Sequence, residues 1–164
     1  MHEAELRKLF DMYYLPVMRY LSHLTGEATA AQDLSQEVFL KLYYYGPSKL
    51  ENPRAWLFRV ATNLGYNYLR QRGNRMRRET AADNVQQERH DLEDLAIRSE
   101  ERINVHQVLE SLSERDRTCL IMRFSGFSYQ EIAEVIGVSK NSVGTILLRA
   151  MRRFRREYEN RGEK

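Results

Sequence analysis

The segment from Ser128 to Arg156 constrains the fold most, because its spacing predicts two short helices joined by a tight turn. Ser128 and Glu131 have the spacing of a capping box, which starts the first helix. Gly137 supplies the left-handed residue that ends that helix, and Ser139 stands where it can cap the second one. A helix-turn-helix of this kind places its second helix in the major groove of DNA. A plain helical hairpin is the alternative interpretation.

The second helix of this motif is expected to have one apolar and one polar face. Its buried stripe is predicted at Val143, Ile146 or Leu147, Ala150 and Phe154. Its outer face carries six candidate DNA contacts, which are Lys140, Asn141, Ser142, Thr145, Arg149 and Arg152. Side chains of these types can donate hydrogen bonds to phosphates and to base edges.

The rest of the chain has helical periodicity and few breaks, with three prolines and eight glycines in 164 residues. Apolar spacing predicts helices over residues 3–24, where Pro16 would kink or split the helix, over 28–45, and from Pro53 to about Arg72. A helix from residue 100 and one capped by Ser113 precede the helix-turn-helix. We therefore predict an all-α fold with two small domains, an N-terminal helical bundle and a C-terminal four-helix domain.

The charge is distributed in three blocks, although the whole chain carries only +3. The formal net charge is +5 over residues 1–78, −6 over residues 79–101 and +4 over residues 102–164. This pattern predicts two polyanion-binding domains, residues 1–78 and 101–164, joined by a flexible acidic linker over residues 79–100.

Several function classes are disfavoured by composition. The single Cys119 excludes an internal disulfide and a cysteine-based zinc site, and its apolar surroundings predict a buried thiol. Asp33 and Glu37 lie one helical turn apart, as in a small metal-dependent nuclease, but no third ligand accompanies them. We expect no enzyme activity, metal or cofactor. No apolar run approaches the roughly 20 residues of a membrane span, so no membrane insertion is expected.

Five local sequences together resemble a known family, the bacterial RNA polymerase sigma factors. The segment Asp33–Leu42 resembles the helix by which they dock on the core polymerase. The segments Pro53–Asn63 and Tyr68–Arg70 resemble their promoter-melting region, and Leu112–Arg117 and Ser128–Ala133 resemble the start of their C-terminal domain. Two domains without a third are typical of the extracytoplasmic-function (ECF) subfamily of the sigma-70 family.

The resemblance implies roles for the N-terminal domain. Asp33, Gln36 and Glu37 would bind a coiled coil of the polymerase β′ subunit. The third helix and the loop before it would contact the −10 promoter element as its strands separate, with the loop at residues 48–52 holding an extruded base. The implied −10 contacts are Lys49, Asn52, Arg54, Arg59, Asn63, Asn67 and Arg70, and the arginines from Arg70 to Arg78 would form a phosphate patch. Trp56 is expected to pack against the core rather than stack on a base.

For the C-terminal domain, the resemblance implies binding to the −35 promoter element and to the polymerase β flap. Gly144, Ile146 and Leu148 occupy positions where family members often carry lysine, arginine and histidine. Gly144 is suited to close approach, either to the DNA backbone or to another helix. Leu148 is suited to contact with thymine methyl groups or with a protein partner.

The resemblance thus implies a non-catalytic, cytoplasmic sigma factor, with core RNA polymerase and promoter DNA as partners. An anti-sigma factor that clamps the two domains is a further partner with which the acidic linker is compatible. A stand-alone helix-turn-helix regulator of duplex DNA is the main alternative, although it would need neither a docking helix nor a melting region. A protein of the anti-sigma class is disfavoured by the two basic blocks.

Overall fold

A computed structural model describes residues 2–78 and 98–162. Over these ranges the chain forms seven α-helices, one 3-10 turn and no strand. The helices are α1 (His2–Thr25), α2 (Ala28–Tyr45), α3 (Pro53–Arg78), α4 (Arg98–Ser111), α5 (Glu114–Phe124), α6 (Tyr129–Ile136) and α7 (Lys140–Gly162), and the turn is Pro47–Lys49. The all-α class is confirmed. The predicted linker lies outside the described residues except for residues 98–100, which belong to α4.

The three N-terminal helices pack around a shared apolar core. Its fully buried members include Val17, Leu21, Leu24, Val38, Leu42, Leu57 and Ala61. Helix α1 runs through Pro16 without interruption, so the expected split is not observed. Helices α1 and α3 approach closely at Gly65, where an added Cβ would lie 2.6 Å from Cδ2 of Leu24.

Helix α3 ends at Arg78 rather than near Arg72, which corrects the predicted boundary. Gly73 does not terminate the helix because its φ is not positive. The residues around it are mostly arginines, which are good helix formers. The longer helix carries Arg75, Arg77 and Arg78 in its last turn.

Side-chain caps determine where the C-terminal helices begin and end. The Ser113 hydroxyl accepts a hydrogen bond from the Asp116 amide and caps α5. Ser128 and Glu131 form the predicted capping box of α6, with both hydrogen bonds at 3.1 Å. Gly137 ends α6 with φ of 74°. The Ser139 hydroxyl lies 2.8 Å from the hydroxyl of Ser142, one turn into α7.

The two halves of the chain share one apolar core, because α3 packs on α6 and α1 packs on α5. Phe58 of α3 and Phe127, just before α6, meet edge to face, with ring centroids 4.7 Å apart and planes at 73°. Both rings are buried. An aromatic pair of this geometry contributes about 0.5–1.5 kcal/mol beyond the area it buries. The helix-turn-helix is thereby held against the third helix of the N-terminal bundle.

Candidate nucleic-acid interface

Helix α7 has the two faces that its sequence predicts. Val143, Ile146, Leu147 and Ala150 are buried, and Phe154 is half-buried. The opposite face is exposed along a midline of residues spaced one turn apart, Asn141, Thr145, Leu148 and Arg152. Ile146 therefore belongs to the core. Its departure from the family pattern is explained by packing, and it is not available for base contact.

Gly144 lies to one side of this midline, beside the ring of Tyr129. A Cβ built on Gly144 would stand 3.7 Å from Cε2 of Tyr129, which is ordinary van der Waals contact. The Tyr129 ring in turn lies under the guanidinium of Arg123, whose Cζ is 4.9 Å from the ring centroid. Close approach to another helix therefore does not require glycine at this position, and that part of the expectation is wrong.

The cations of α7 are turned towards solvent. Lys140, Arg149 and Arg152 are exposed, as are Arg153, Arg155 and Arg156. No described residue forms an ion pair with Arg149 or Arg152, and Ser142 is half-buried. Helix α7 thus presents unpaired positive charge on the side opposite to its core, as binding to a phosphate backbone requires.

The −10 contacts predicted along α3, which we call the polar stripe of α3, are arranged differently from the outer face of α7. The C-terminal half covers the first two turns of α3. Nε of Arg54 lies 2.8 Å from Oε2 of Glu131. The Arg54 Nε–H does not point at that carboxylate, so the contact is an ion pair rather than a hydrogen bond. The Asn52 side-chain amide donates to the Glu134 carboxylate at 2.9 Å, and Arg59 donates to the Glu134 carbonyl. Three predicted DNA contacts thus bind the first helix of the helix-turn-helix.

Asn52 also has the local role that its sequence predicts. Its side-chain oxygen accepts from the Ala55 amide at 3.2 Å, which caps α3. Lys49 and Asn63 are exposed. Trp56 is half-buried against the core, with its ring centroid 5.4 Å from that of Tyr45, as the packing expectation requires.

Farther along α3, the stripe contacts the start of α5. Arg70 pairs with Glu114 at 3.0 Å and also donates to the side chain of Asn67 at 2.8 Å. The hydrogen bond and the charge of Glu114 raise the pKa of Arg70. Tyr66, which lies beside Asn67 in the sequence, is buried and donates to the Glu114 carbonyl at 2.8 Å. Burial raises its pKa to about 12.

Arg72 joins the two halves rather than standing in an open phosphate patch, which corrects the expectation for this residue. It lies 2.5 Å from the Glu27 carboxylate, between α1 and α2, and 3.1 Å from the Glu110 carboxylate of α4. Burial lowers the pKa of Arg72, but the hydrogen bond and charge of Glu27 outweigh it, so the pKa is raised. The pKa of Glu110 is lowered, against the effect of burial, by the neighbouring His106, whose Nε2 lies 3.1 Å from the carboxylate, and further by the charges of Arg72 and Arg117.

The predicted docking residues of α2 form an open surface. Asp33, Gln36 and Glu37 are exposed, and no described residue pairs with either carboxylate. Two residues that sequence analysis missed, Leu40 and Tyr44, share this face and are 55% and 78% exposed. They could have been found from the sequence, because positions 40 and 44 continue the helical spacing of three or four residues from Glu37. We call these five residues the α2 face.

The described ranges contain no candidate metal centre. No group of three His, Cys, Asp or Glu side chains is placed to hold a metal ion within residues 2–78 and 98–162. Cys119 is buried, and burial raises its pKa to about 11, so its thiol is protonated at neutral pH. Among the same residues, no helix has the length and apolar character that crossing a membrane needs.

Comparison with known proteins finds two family profiles in the same order as the two halves of the fold. The profile of sigma-70 region 2 matches residues 9–75, and that of sigma-70 region 4 matches residues 102–154. The chain is 31% identical to the RNA polymerase sigma-H factor of Pseudomonas aeruginosa, over 88% of this chain and 83% of that one. It is 27% identical to the ECF RNA polymerase sigma factor SigM of Bacillus subtilis, over 94% and 95%.

A solved structure shares the fold. The sigma factor RpoE of Bartonella quintana, in complex with the anti-sigma factor NepR, superposes with a TM-score of 0.65. The two chains are 19% identical, and the alignment covers 93% of this chain and 96% of that one. The likeness supports the arrangement of the helices.

Proposed function

This chain belongs to the sigma-70 family of RNA polymerase sigma factors, in its extracytoplasmic-function subfamily, and we propose how its two halves divide the work of promoter recognition. As a sigma factor, it directs core RNA polymerase to promoters and takes part in opening the DNA. In our proposal, residues 1–78 dock on the polymerase and engage the −10 element, and residues 101–164 read the −35 element. This division is supported by the different surfaces of the two halves. The C-terminal half carries the helix-turn-helix, and the N-terminal half carries the open, acidic and apolar α2 face.

The α2 face is the proposed polymerase contact. Asp33 and Glu37 offer two carboxylates to basic groups, and Leu40 and Tyr44 add apolar area that docking would remove from water. An exposed apolar group rimmed by charge is typical of a protein interaction site. The partner surface in this proposal is the β′ coiled coil, and the β flap would hold the C-terminal half.

The polar stripe of α3 is the proposed −10 surface, with Lys49, Asn52 and Arg54 at its start and Arg59, Asn63, Asn67 and Arg70 along the helix. Single-stranded DNA binds where positive charge tracks the backbone and unstacked bases find polar partners. The contacts of Arg54, Arg59 and Asn52 with Glu131 and Glu134 occupy the groups that would do this. Engagement of the −10 element therefore requires α6 to leave α3.

The proposed −35 reader is α7, through Lys140, Asn141, Ser142, Thr145, Arg149 and Arg152. Arginine and asparagine recognise guanine and adenine edges in the major groove, and the outlying arginines hold phosphates. Separation of the two halves need not disturb this helix, because its outer face is exposed to solvent.

The protein is proposed to be non-catalytic and to act in the cytoplasm, where its polymerase works. It would lower the barrier to strand opening by binding the opened form of the promoter, while the polymerase supplies the chemistry. A relative with this fold is held by an anti-sigma factor. A protein of that class is a proposed partner here, acting on the equilibrium between the closed arrangement of the two halves and an open one.

Run-off transcription tests the proposal. Purified core polymerase, with and without this chain, is offered a library of genomic fragments. We expect discrete transcripts that require the chain, with start sites that share an upstream and a downstream element. A chain that binds duplex promoters by itself and gives no polymerase-dependent transcript would contradict the proposal and support a stand-alone regulator.

A further inference from the structure

The outer face of α7 carries one residue whose chemistry does not fit phosphate binding. Leu148 is 52% exposed and lies on the midline, between Thr145 and Arg152. Of the three positions that depart from the family pattern, Ile146 is buried in the core and Gly144 lies to the side, against Tyr129. Leu148 is therefore the one departure that would face the floor of a groove.

The surroundings of Leu148 identify what it would meet. Thr145 and Asn141 precede it along the midline, Arg152 follows it, and Arg149 stands beside it. Cations at these positions suit the phosphates on either wall of the groove, and asparagine suits an adenine edge. An apolar side chain that lies between such residues would face the base edges rather than the phosphates. The base edges in the major groove offer one apolar group, the C5 methyl of thymine.

We propose that Leu148 is a specificity residue that selects thymine in the upstream promoter element, by packing on its C5 methyl group. The inference rests on the proposed −35 role of α7 and names what that helix reads. Thr145 provides a second methyl group one turn earlier, so the thymine contacted by Leu148 is expected within an A·T-rich part of the element. The histidine or lysine type of side chain common at this position in the family would not have this preference.

Replacing thymine by uracil tests the inference, because uracil lacks only the C5 methyl and pairs with adenine in the same way. The full chain, assembled with core polymerase, first selects duplexes from a pool randomised over the upstream element. Each thymine of the selected element is then replaced in turn by uracil, and holoenzyme affinity is measured. We expect one replacement to weaken binding by about fourfold, the factor that corresponds to burying one methyl group.

Variants assign that methyl effect to a residue. Leu148→Ala should lose affinity for the thymine duplex and show no further loss on the uracil duplex. Leu148→Met, which keeps an apolar tip, should retain the sensitivity to uracil. Met151→Ala is the matched control, because Met151 is similarly exposed and apolar but lies off the midline. It should remain as sensitive to uracil as the unmodified chain.

Three results would overturn the inference. One is a selected element with no thymine whose methyl matters, and another is a uracil effect of equal size in Leu148→Ala. The third is a Leu148→Ala variant that keeps its DNA affinity and loses affinity for the polymerase, which would assign the residue to a protein contact. A holoenzyme that selects no upstream element at all would contradict the proposed role of α7 itself, so failures of the two proposals are distinguishable.

Discussion

Arg54 of α3 and Glu131 of α6 form an ion pair at 2.8 Å between the N-terminal bundle and the helix-turn-helix. The Arg54 guanidinium also stacks over the Phe127 ring, 4.5 Å from its centroid. One side chain of the proposed −10 surface is thus held both by a charge and by an aromatic ring of the C-terminal half. In this arrangement the C-terminal half covers part of the surface that we propose for the −10 element.

Replacing Glu131 by glutamine should favour separation of the two halves. Glutamine can still complete the capping box of α6, but it removes the charge that pairs with Arg54. A partly exposed pair of this kind contributes about 1 kcal/mol or less, so the equilibrium should shift towards the open form by up to about fivefold. The measurement is affinity of the free chain for a single-stranded −10 oligonucleotide, which should rise.

Ser128→Ala is the matched control, since it removes the capping hydroxyl of the same box and leaves the ion pair in place. It should lower the stability of the chain by about 1 kcal/mol without raising oligonucleotide affinity. Equal gains in both variants would show that loosening α6, rather than losing the charge, exposes α3.

Variants of the α2 face and of α7 should have opposite effects. The double variant Gln36→Ala/Glu37→Ala is expected to lose association with core polymerase, because it removes one of the two carboxylates and a neighbouring amide from the proposed contact. Arg149→Ala should keep that association and lose promoter affinity by about 5- to 160-fold, the factor that corresponds to losing one base contact of about 1–3 kcal/mol. Pull-down with core polymerase and promoter retention by the holoenzyme measure the two effects.

A double replacement of exposed acids on α1, Glu3→Ala/Asp11→Ala, controls for loss of negative charge on the same half of the chain. It should behave as the unmodified protein in both assays. Full transcription by Gln36→Ala/Glu37→Ala would refute the docking assignment, and loss of polymerase association in Arg149→Ala would refute the division between the halves.

Gly144→Ala should stabilise the C-terminal half. Alanine in a helix interior is favoured over glycine by about 0.5–1 kcal/mol, and the new methyl would meet Tyr129 at an ordinary contact distance. Promoter binding should fall at the same time, because DNA is the remaining neighbour to which the glycine gives access. Urea unfolding measures the change in stability, and the affinity of the holoenzyme for promoter DNA measures the change in binding. A variant that unfolds more easily would contradict the predicted stabilisation.

The contact of Arg72 with Glu110 should weaken in acid. Because the pKa of Glu110 is lowered in the folded chain, its carboxylate contributes stability above its ordinary pKa of about 4.3, and this contribution is lost as the pH falls below that value. The difference in melting temperature between the unmodified chain and Glu110→Gln should therefore shrink as the pH falls from about 5 towards about 3. A difference that persists or grows over that range would contradict the assignment.

Local signals in the sequence were enough for the helices and for most of their ends, but not for the end of α3 at Arg78. The helix caps at Ser113 and Ser128 and the helix end at Gly137 depend only on neighbours within four residues. The apolar stripe of α7 follows from helical spacing alone. Contacts between the halves could not be found in this way, since Glu131 and Glu134 look like ordinary exposed acids until α6 is set against α3. The same holds for Arg72 and for Tyr66, because their partners lie far away in the chain.

The most direct test is the distance between the two halves, measured by fluorescence energy transfer in the free chain and in the promoter-bound holoenzyme. Dyes are attached at Asp11→Cys on α1 and Asn160→Cys on α7, both exposed positions. The buried thiol of Cys119, whose pKa is about 11, reacts little at neutral pH. We expect transfer to be lower in the open promoter complex than in the free chain. Unchanged transfer in a holoenzyme that makes full-length run-off transcripts would show that the −10 element is engaged without α6 leaving α3, which would contradict the account.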